Sequence, residues 1–217
     1  MNHRSGNKYK IIGIMSGTSL DGLDIAAVEF SYNNGNCDFQ IIAAETGTYS
    51  HDWENRLRKS TELSGEKLIQ LHTDYGRFLG KEIKRFIKRT GFVPELLASH
   101  GHTVFHQPEK GFTFQVGSGA HIAAETGITT IADFRTGDVA LGGQGAPLVP
   151  VGDRLLFSQY ESCLNLGGFA NISFEKERKR MAFDICPANF ILNNLARKLG
   201  KSFDESGELG RQGTIDN

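Results

Sequence analysis

A short glycine-rich segment near the N-terminus has residue types and spacing that suit the binding of a phosphate group. An apolar run at residues 11–14 leads into Ser16-Gly17-Thr18-Ser19-Leu20-Asp21-Gly22, and Asp24 follows. Glycine lets the backbone adopt positive φ and approach a ligand closely, while Thr18 and Ser19 add hydroxyl donors to the N–H groups of such a turn. The turn at residues 17–22 is therefore predicted to have the size and the donor groups that a phosphate needs.

The sequence after this turn separates two kinds of phosphate loop. Residues 25–30 (IAAVEF) have the pattern of a second strand, whereas a Walker-type loop carries Gly-Lys-Ser/Thr at the start of a helix. The turn is therefore predicted to be the tip of a β-hairpin. An ordinary hairpin without a ligand is the alternative interpretation, because glycine and serine are common in turns of every kind.

Composition excludes several classes of protein. The 217 residues are 39% hydrophobic and 23% charged with a formal net charge of −1, enough for one large or two small domains. No basic stripe with interleaved aromatic residues occurs, so no nucleic-acid partner is expected. The sequence lacks a signal peptide and any apolar run near the roughly 20 residues that span a bilayer, which predicts a cytoplasmic protein without membrane contact. Three widely spaced cysteines indicate reduced thiols.

The apolar pattern predicts a first unit of strands and helices. A long amphipathic helix is predicted from its N-cap Ser64 to its stop at Gly91, because apolar residues recur at three- and four-residue steps. Three strands, a helix and further strands resemble the ribonuclease-H-like unit, of which actin-like ATPases and sugar kinases contain two copies. The strands are predicted at residues 10–15, 25–32, 39–44, 96–99 and 112–116, and a short helix at 120–126.

A second copy of this unit is predicted to begin near residue 161. At residues 163–174 an apolar strand again enters glycines and emerges as a strand, and a strand at 181–183 and a helix at 187–199 follow. Such repetition is typical of a duplicated fold. We therefore predict an α/β protein with the actin-like ATPase (ribonuclease-H-like) fold, its first unit complete over residues 1–160 and its second unit truncated over 161–217.

Five sequence blocks, in order, resemble motifs of the anhydro-N-acetylmuramic acid kinase family. The blocks are SGTSLDG at 16–22, SHGHTV at 99–104, TGITTIADFR at 126–135, GGQGAPLVP at 142–150 and NLGGFAN at 165–171. The resemblance covers nearly the whole chain from Lys10 onward, although family members carry a C-terminal portion without a counterpart here. It implies ATP-dependent conversion of 1,6-anhydro-N-acetylmuramic acid into N-acetylmuramic acid 6-phosphate, a step of cell-wall recycling.

The resemblance implies that Asp184 is the catalytic base. It occupies the position of the family's catalytic aspartate and would accept a proton from the water that opens the anhydro bridge. Asp184 follows the predicted strand at 181–183 immediately before a predicted helix, whose dipole would keep the carboxylate ionised. A helix N-cap is the alternative interpretation. The sequence DICPAN at 184–189 stands where DTGPGN is common in the family, so this loop is bulkier.

The resemblance also implies the remaining site residues. Gly17 to Gly22 and Asp24 would hold the ATP phosphates, with Asp21 or Asp24 close enough to hold Mg²⁺. Ser16, His100, Thr103 and Arg135 would bind the amino sugar. The Arg135 guanidinium suits bidentate binding of the lactyl carboxylate, and a surface ion pair is its alternative. His102 stands where the family often has glutamine.

Several alternatives stay open at this level. One alternative is a metal site formed by His100, His102 and His106, but no fourth ligand accompanies these histidines. The loop at residues 142–150 suits a closure hinge or a simple linker. A phosphate- or sugar-binding lobe without catalysis and another actin-like sugar kinase are the alternative functions. We expect that the chain alone does not phosphorylate sugar. A homodimer is a further alternative to a monomer.

Overall fold

The computed structural model describes residues 7–17, 20, 22–33, 35–146 and 148–214. The chain divides into two compact units, Met1–Leu148 and Val149–Asn217. The boundary was predicted between residues 160 and 161. A helix that begins at Val149 instead belongs to the second unit. The assignment of the two parts to ribonuclease-H-like lobes stays a prediction.

The first unit is built on a five-stranded mixed sheet in the order β3-β2-β1-β4-β7. Strands 1 to 3 pair antiparallel, whereas strand 4 runs parallel to strand 1 and strand 7 parallel to strand 4. Strands 5 and 6 form a separate antiparallel hairpin. The strands are β1 (Asn7–Ser16), β2 (Leu23–Asn33), β3 (Asn36–Gly47), β4 (Leu96–Ser99), β5 (His102–Gln107), β6 (Phe112–Val116) and β7 (Thr130–Ala132).

One long helix covers a face of this sheet. The predicted helix from Ser64 to Gly91 is confirmed, and Gly91 ends it at φ 69°. Its residues Leu79 and Ile83 are fully buried in the same core as Ile12 of β1. The helices of the first unit are α1 (His51–Arg58), α2 (Gly65–Thr90), α3 (Gly119–Thr126) and α4 (Thr136–Ala140). Single 3-10 turns lie at Ser60–Glu62 and Pro108–Lys110.

The five strands predicted for the first unit are all present. The bounds of β4 and β6 match the prediction, and the strands predicted at 10–15, 25–32 and 39–44 are longer than expected. The sequence analysis missed β5 and β7. β7 has only three residues, and β5 mixes two histidines with apolar residues, so neither produces a clear alternation. The central mixed sheet confirms the α/β class.

The second unit contains an antiparallel three-stranded sheet in the order β10-β9-β8. Its elements are α5 (Val149–Leu156), β8 (Ser162–Leu166), β9 (Phe169–Lys176), β10 (Lys179–Pro187), α6 (Asn189–Lys198), a 3-10 turn at Glu205–Gly207 and α7 (Glu208–Arg211). Asp153 of α5 accepts a hydrogen bond from Ser173 of β9 (2.5 Å), and Arg180 of β10 donates to the same serine (2.9 Å). These bonds fasten α5 to the sheet.

Two details of the second unit differ from the prediction. Val149 and Pro150 open α5, so they do not belong to the loop predicted at 142–150; Pro147 of that loop lies outside the described residues. β10 extends to Pro187, which was predicted to be the first residue of the following helix. Proline is tolerated there because β10 is an edge strand. None of the helices in the described ranges is long and apolar enough to cross a membrane.

Candidate functional site

The carboxyl ends of the parallel strands of the first unit carry most of the predicted site residues. β1 ends at Ser16, β4 at Ser99 and β7 at Ala132, and these three strands are neighbours in the sheet. Parallel strands end at the same edge of a sheet, and this edge is where open α/β sheets bind ligands. The segments that follow the three strands contain the predicted phosphate turn, His100 and Arg135.

Ser16 lies in a chain of hydrogen bonds that the sequence did not predict. Its side chain is 2% exposed, and its Oγ lies 3.1 Å from Nδ1 of His102. The Tyr49 hydroxyl donates to Ser16 Oγ at 2.8 Å and lies 2.7 Å from the Tyr75 hydroxyl. Burial, with a smaller contribution from His100, lowers the pKa of His102 to about 4. His102 is therefore neutral at pH 7.

A second pair of side chains joins His100 to Arg135. Nδ1 of His100 donates to the carbonyl of Gly101 at 3.0 Å, so its Nε2 is free to accept from Arg135 Nε, also at 3.0 Å. Burial, helped by the nearby Arg135, lowers the pKa of His100, and burial lowers the pKa of Arg135. Among the described residues, the two terminal nitrogens of Arg135 have no partner. Arg135 can therefore offer a two-pronged contact to a carboxylate.

A tight reversal at Gly101 brings both histidines to this edge. Gly101 has φ 71°, and a Cβ on it would lie 2.6 Å from the Val116 carbonyl oxygen, so only glycine fits. His102 then begins β5 and is 4% exposed. Thr103 is the next residue of the same strand, so its side chain points to the opposite face of the hairpin. The structure therefore does not bring Thr103 together with Ser16 and His102.

The predicted phosphate turn connects two paired strands. Ser16 pairs with Leu23 across the antiparallel β1–β2 ladder, which confirms the hairpin. Leu20, at φ 58°, donates its N–H to the Gly17 carbonyl at 3.2 Å. A Cβ on Gly22 would lie 2.7 Å from Thr46 Cγ2, so close packing against β3 requires this glycine. Thr18, Ser19 and Asp21 lie outside the described residues, and the phosphate-binding role stays a prediction.

Asp24 lies on the other face of the sheet from Ser16. It pairs with Met15, and both side chains are exposed, whereas their neighbours Ser16 and Leu23 are buried. Thr46 Oγ1 donates to one carboxylate oxygen of Asp24 at 2.5 Å. No other described residue forms a hydrogen bond or ion pair with this carboxylate, and carboxylate oxygens are the ligands that Mg²⁺ prefers. Within the described ranges, no three His, Cys, Asp or Glu side chains form a metal-binding group.

Asp184 lies within β10 of the second unit rather than at a helix terminus. α6 begins at Asn189 with Ala188 as its N-cap, so the predicted dipole effect and the alternative N-cap role are both wrong. The first N–H groups of α6 donate to the carbonyls of Gly167 and Gly168. Asp184 is exposed, and its carboxylate makes no hydrogen bond with the side chains of the described residues. A bulge separates it from Cys186.

Two asparagines share the face of the sheet that carries Asp184. Asp184 pairs with Asn171 on β9, and Asn171 pairs with Asn165 on β8. Directly opposed residues of antiparallel strands project from the same face, so one carboxylate and two amides form a row. The sequence analysis did not assign these asparagines a role. Their equal distance from Gly168 in NLGGFAN could have revealed the pairing, because a hairpin centred there brings them opposite each other.

Three other residues of the site were missed for a different reason. Tyr49 lies outside every predicted element, and Tyr75 was interpreted only as an apolar residue of α2. His102 was compared only with the glutamine that the family often has at this position, without a defined partner. Their hydrogen bonds join residues that are 26 to 86 positions apart in sequence, so no local pattern signals them.

Comparison with known proteins identifies the family. The family model described as anhydro-N-acetylmuramic acid kinase matches residues 9–217. Two similar curated relatives are the anhydro-N-acetylmuramic acid kinases of Gloeobacter violaceus (strain ATCC 29082 / PCC 7421), 38% identical over 223 residues, and Bacillus cereus (strain G9842), 34% identical over 224 residues. Each alignment covers 94% of this chain and 59% of the relative.

A solved structure, YeaZ from Pseudomonas aeruginosa, matches with 9% identity and a TM-score of 0.22, covering 83% of this chain and 68% of that one. A TM-score this low supports no argument about the fold. The family model, by contrast, extends over nearly the whole chain. The chain therefore belongs to the anhydro-N-acetylmuramic acid kinase family.

Proposed function

We propose that this chain carries sugar- and phosphate-binding parts of an ATP-dependent kinase that opens the ring of 1,6-anhydro-N-acetylmuramic acid and phosphorylates O6. The observation that supports this most is the convergence of Ser16, His100 and Arg135 at the carboxyl edge of the mixed sheet, in a member of this family. The product would be N-acetylmuramic acid 6-phosphate. The chain spans 59% of the length of the curated relatives named above, so the activity of the whole protein is part of the proposal.

Arg135 would recognise the lactyl carboxylate of the sugar. Its Nε is engaged by His100, which fixes the plane of the guanidinium and leaves both terminal nitrogens for the ligand. Two parallel N–H···O bonds to a carboxylate are stronger and more directional than contact with a single ammonium group. His100 thus acts as a positioning residue for Arg135, and Ser16 would contact another polar group of the sugar.

Asp184 would act as the general base. It would accept a proton from a water molecule whose oxygen attacks the anomeric carbon, and the bond between that carbon and O6 would break. The freed O6 would then accept the γ-phosphoryl group of ATP. The row formed with Asn171 and Asn165 supports this assignment, because amide groups next to a carboxylate can orient a bound water.

The hairpin turn would hold the ATP phosphates. Gly17, Leu20 and Gly22 would contribute backbone groups, Thr18 and Ser19 hydroxyl groups, and Asp21 or Asp24 a carboxylate ligand for Mg²⁺. Bound Mg²⁺ would neutralise charge on the phosphates. The exposed carboxylate of Asp24, which among the described residues accepts from Thr46, is consistent with such a ligand.

The proposed fold is that of the actin-like ATPases. The sheet order β3-β2-β1-β4-β7, with three antiparallel strands followed by two parallel ones, supports a ribonuclease-H-like first unit. The three antiparallel strands and α6 of the second unit support the opening of another such unit. We also propose a cytoplasmic protein whose partners are ATP and the amino sugar, without nucleic acid or membrane. A homodimer is consistent with the exposed apolar residues of the second unit.

Isothermal titration with the anhydro sugar and with Mg²⁺-ATP, separately, tests the proposal. We expect the sugar to bind, because hydrogen bonds already fix the orientation of the proposed recognition residues in the first unit. A parallel incubation with both ligands, followed by mass spectrometry, tests for the 6-phosphate. Absence of sugar binding would contradict the proposed function, and sugar binding without ATP binding would favour a sugar-binding lobe that lacks catalysis.

A further inference from the structure

A cleft on the first unit lies between the end of α1 and the first turns of α2. It encloses about 380 Å³, and all of its lining residues lie between Asn55 and Leu71. Sites for small molecules usually enclose roughly 300–1,000 Å³, so the cleft is large enough for a compact ligand. None of its lining residues belongs to the sugar or phosphate site proposed above.

The walls of the cleft are apolar, although most of its lining residues are polar. Leu71 is 3% exposed and belongs to the core of the unit, and Leu63 packs against the same core. Lysine side chains lay their methylene stems along apolar surface and keep the ammonium group in water. The stems of Lys59 and Lys67 therefore complete the walls, and their charged ends extend toward the mouth.

The third cation of the lining, Arg56, is already engaged. Its guanidinium lies 4.3 Å from the centre of the Trp53 ring and donates to Asp74 at 2.6 Å. Gln70 donates to the other oxygen of the same carboxylate at 2.8 Å. Asp74 thus compensates the charge of Arg56 and fixes its position, so Arg56 is a wall of the cleft rather than a free cation.

The two lysines, by contrast, are not compensated. Lys59 and Lys67 are exposed, and neither forms an ion pair with a carboxylate in the described part of the chain. Glu62 and Glu66 lie in the same stretch of sequence, but they are exposed and do not line the cleft. Two positive charges next to an apolar cleft complement a ligand with an apolar body and one negative end.

We propose that this cleft binds a small organic acid, with an apolar ring system or short chain in the cleft and a carboxylate between Lys59 and Lys67. Burial of the apolar body would supply most of the affinity, since exposed ion pairs contribute little. A soluble acid is favoured over an anionic membrane surface, because the exposed Glu62 and Glu66 beside the cleft would repel such a surface. The inference does not depend on the proposed function.

The first test is nitrogen-15 NMR of the wild-type chain, titrated with naphthalene-2-carboxylate and, separately, with the uncharged naphthalene-2-carboxamide. We expect the carboxylate to shift the amide resonances of the lining residues and the indole N–H resonance of Trp53, the single tryptophan, which contacts Arg56. This measurement needs no variant. Absence of shifts, or shifts confined to the second unit, where many apolar side chains are exposed, would overturn the proposal.

The second test compares the affinities of the two probes in variants of the lysines. We expect Lys59→Gln and Lys67→Gln each to weaken binding of the carboxylate by about two- to fivefold, and to leave that of the carboxamide within about twofold. Lys88→Gln is the matched control, because Lys88 is an exposed lysine of α2 that does not line the cleft. Equal affinity of the wild-type chain for both probes would overturn the role of the lysines.

A sedimentation experiment with phosphatidylglycerol vesicles separates a soluble acid from a membrane surface. We expect the wild-type chain to remain in the supernatant. Sedimentation that the double substitution Lys59→Gln and Lys67→Gln abolishes would overturn the proposed ligand class in favour of an anionic membrane surface.

Discussion

The two units of the molecule present their site residues in opposite ways. In the first unit, Ser16 and His102 are buried and joined by a chain of hydrogen bonds, and His100 holds Arg135. In the second unit, Asp184 is exposed on a strand, in a row with Asn171 and Asn165. This contrast indicates that the groups proposed for sugar recognition are preorganised, whereas the Asp184 carboxylate takes no part in the core of its own unit. Binding and turnover should therefore respond to different substitutions.

The largest effect is expected for Asp184→Asn, which keeps the shape of the side chain and removes its basicity. Positioned general bases contribute about 10²–10⁴-fold, so formation of the 6-phosphate by the full-length protein, in which this substitution is tested, should fall by at least about 100-fold. Sugar affinity should stay near that of the wild-type protein. Phosphorylation is measured by mass spectrometry and affinity by calorimetry.

Glu177→Gln is the matched control for this substitution. Glu177 is also an exposed carboxylate of the second unit, in the turn between β9 and β10, and it should tolerate the change without loss of turnover. If Asp184→Asn kept more than about a tenth of wild-type activity, Asp184 would not be the base.

A second contrast concerns the cores of the two units. Leu79 of α2 is 0% exposed, whereas Leu164 of β8 is 56% exposed. Leu79→Ala should lower the free energy of unfolding of the first unit by about 2–5 kcal/mol, because it leaves a cavity in a packed core. Leu164→Ala should change stability by less than about 1 kcal/mol.

The single tryptophan makes this comparison measurable. Trp53 lies in the first unit with its ring 4.8 Å from Phe78 and 5.4 Å from Tyr75, between centroids. Its fluorescence during urea unfolding therefore reports on the first unit, and amide hydrogen exchange of β8 and β9 reports on the second. Similar losses of stability in Leu79→Ala and Leu164→Ala would show that the cores do not differ as described.

Acid should destabilise the first unit through its buried histidines. The folded chain protonates His102 only near pH 4, whereas an unfolded chain does so near 6.5. Between these values the unfolded state binds more protons, so the free energy of unfolding falls as the pH decreases. The shift corresponds to at most about 3 kcal/mol at pH 4. His72 and His100, whose pKa values burial also lowers, act in the same direction.

Urea unfolding followed by Trp53 fluorescence at pH 7 and pH 4.5 measures this dependence. His102→Gln removes the titrating group while retaining an acceptor for Ser16, so the difference in stability between the two pH values should be smaller than in wild type. His106→Gln is the control, because His106 is exposed and its ring contacts Thr113 at 3.1 Å. An unchanged pH dependence in His102→Gln would contradict the neutral, buried state of His102.

Local patterns in the sequence were sufficient for much of the fold. The three- and four-residue spacing in α2 and the glycine turn between β1 and β2 depend on near neighbours, and both were predicted correctly. The predicted boundary between the strand that contains Asp184 and the following helix was wrong. Pro187 suggested the first residue of a helix, but it is the last residue of an edge strand.

The site could be predicted only in part. Ser16, His100 and Arg135 follow from resemblance, but the bonds of Ser16 to His102 and Tyr49, and of Arg135 to His100, depend on how distant segments pack at the sheet edge. Such contacts join distant segments. Their energies depend on burial and on which group donates each hydrogen bond. A periodic sequence pattern encodes neither.

The most direct test of the central claim, that the first unit recognises the sugar through its carboxylate, is a comparison of two ligands by calorimetry. Arg135→Lys keeps the charge but loses the planar fork, so it should weaken binding of 1,6-anhydro-N-acetylmuramic acid about tenfold. Binding of the analogue without the lactyl group should be nearly unchanged. Equal losses for both ligands would contradict the claim, because Arg135 would then not contact the carboxylate.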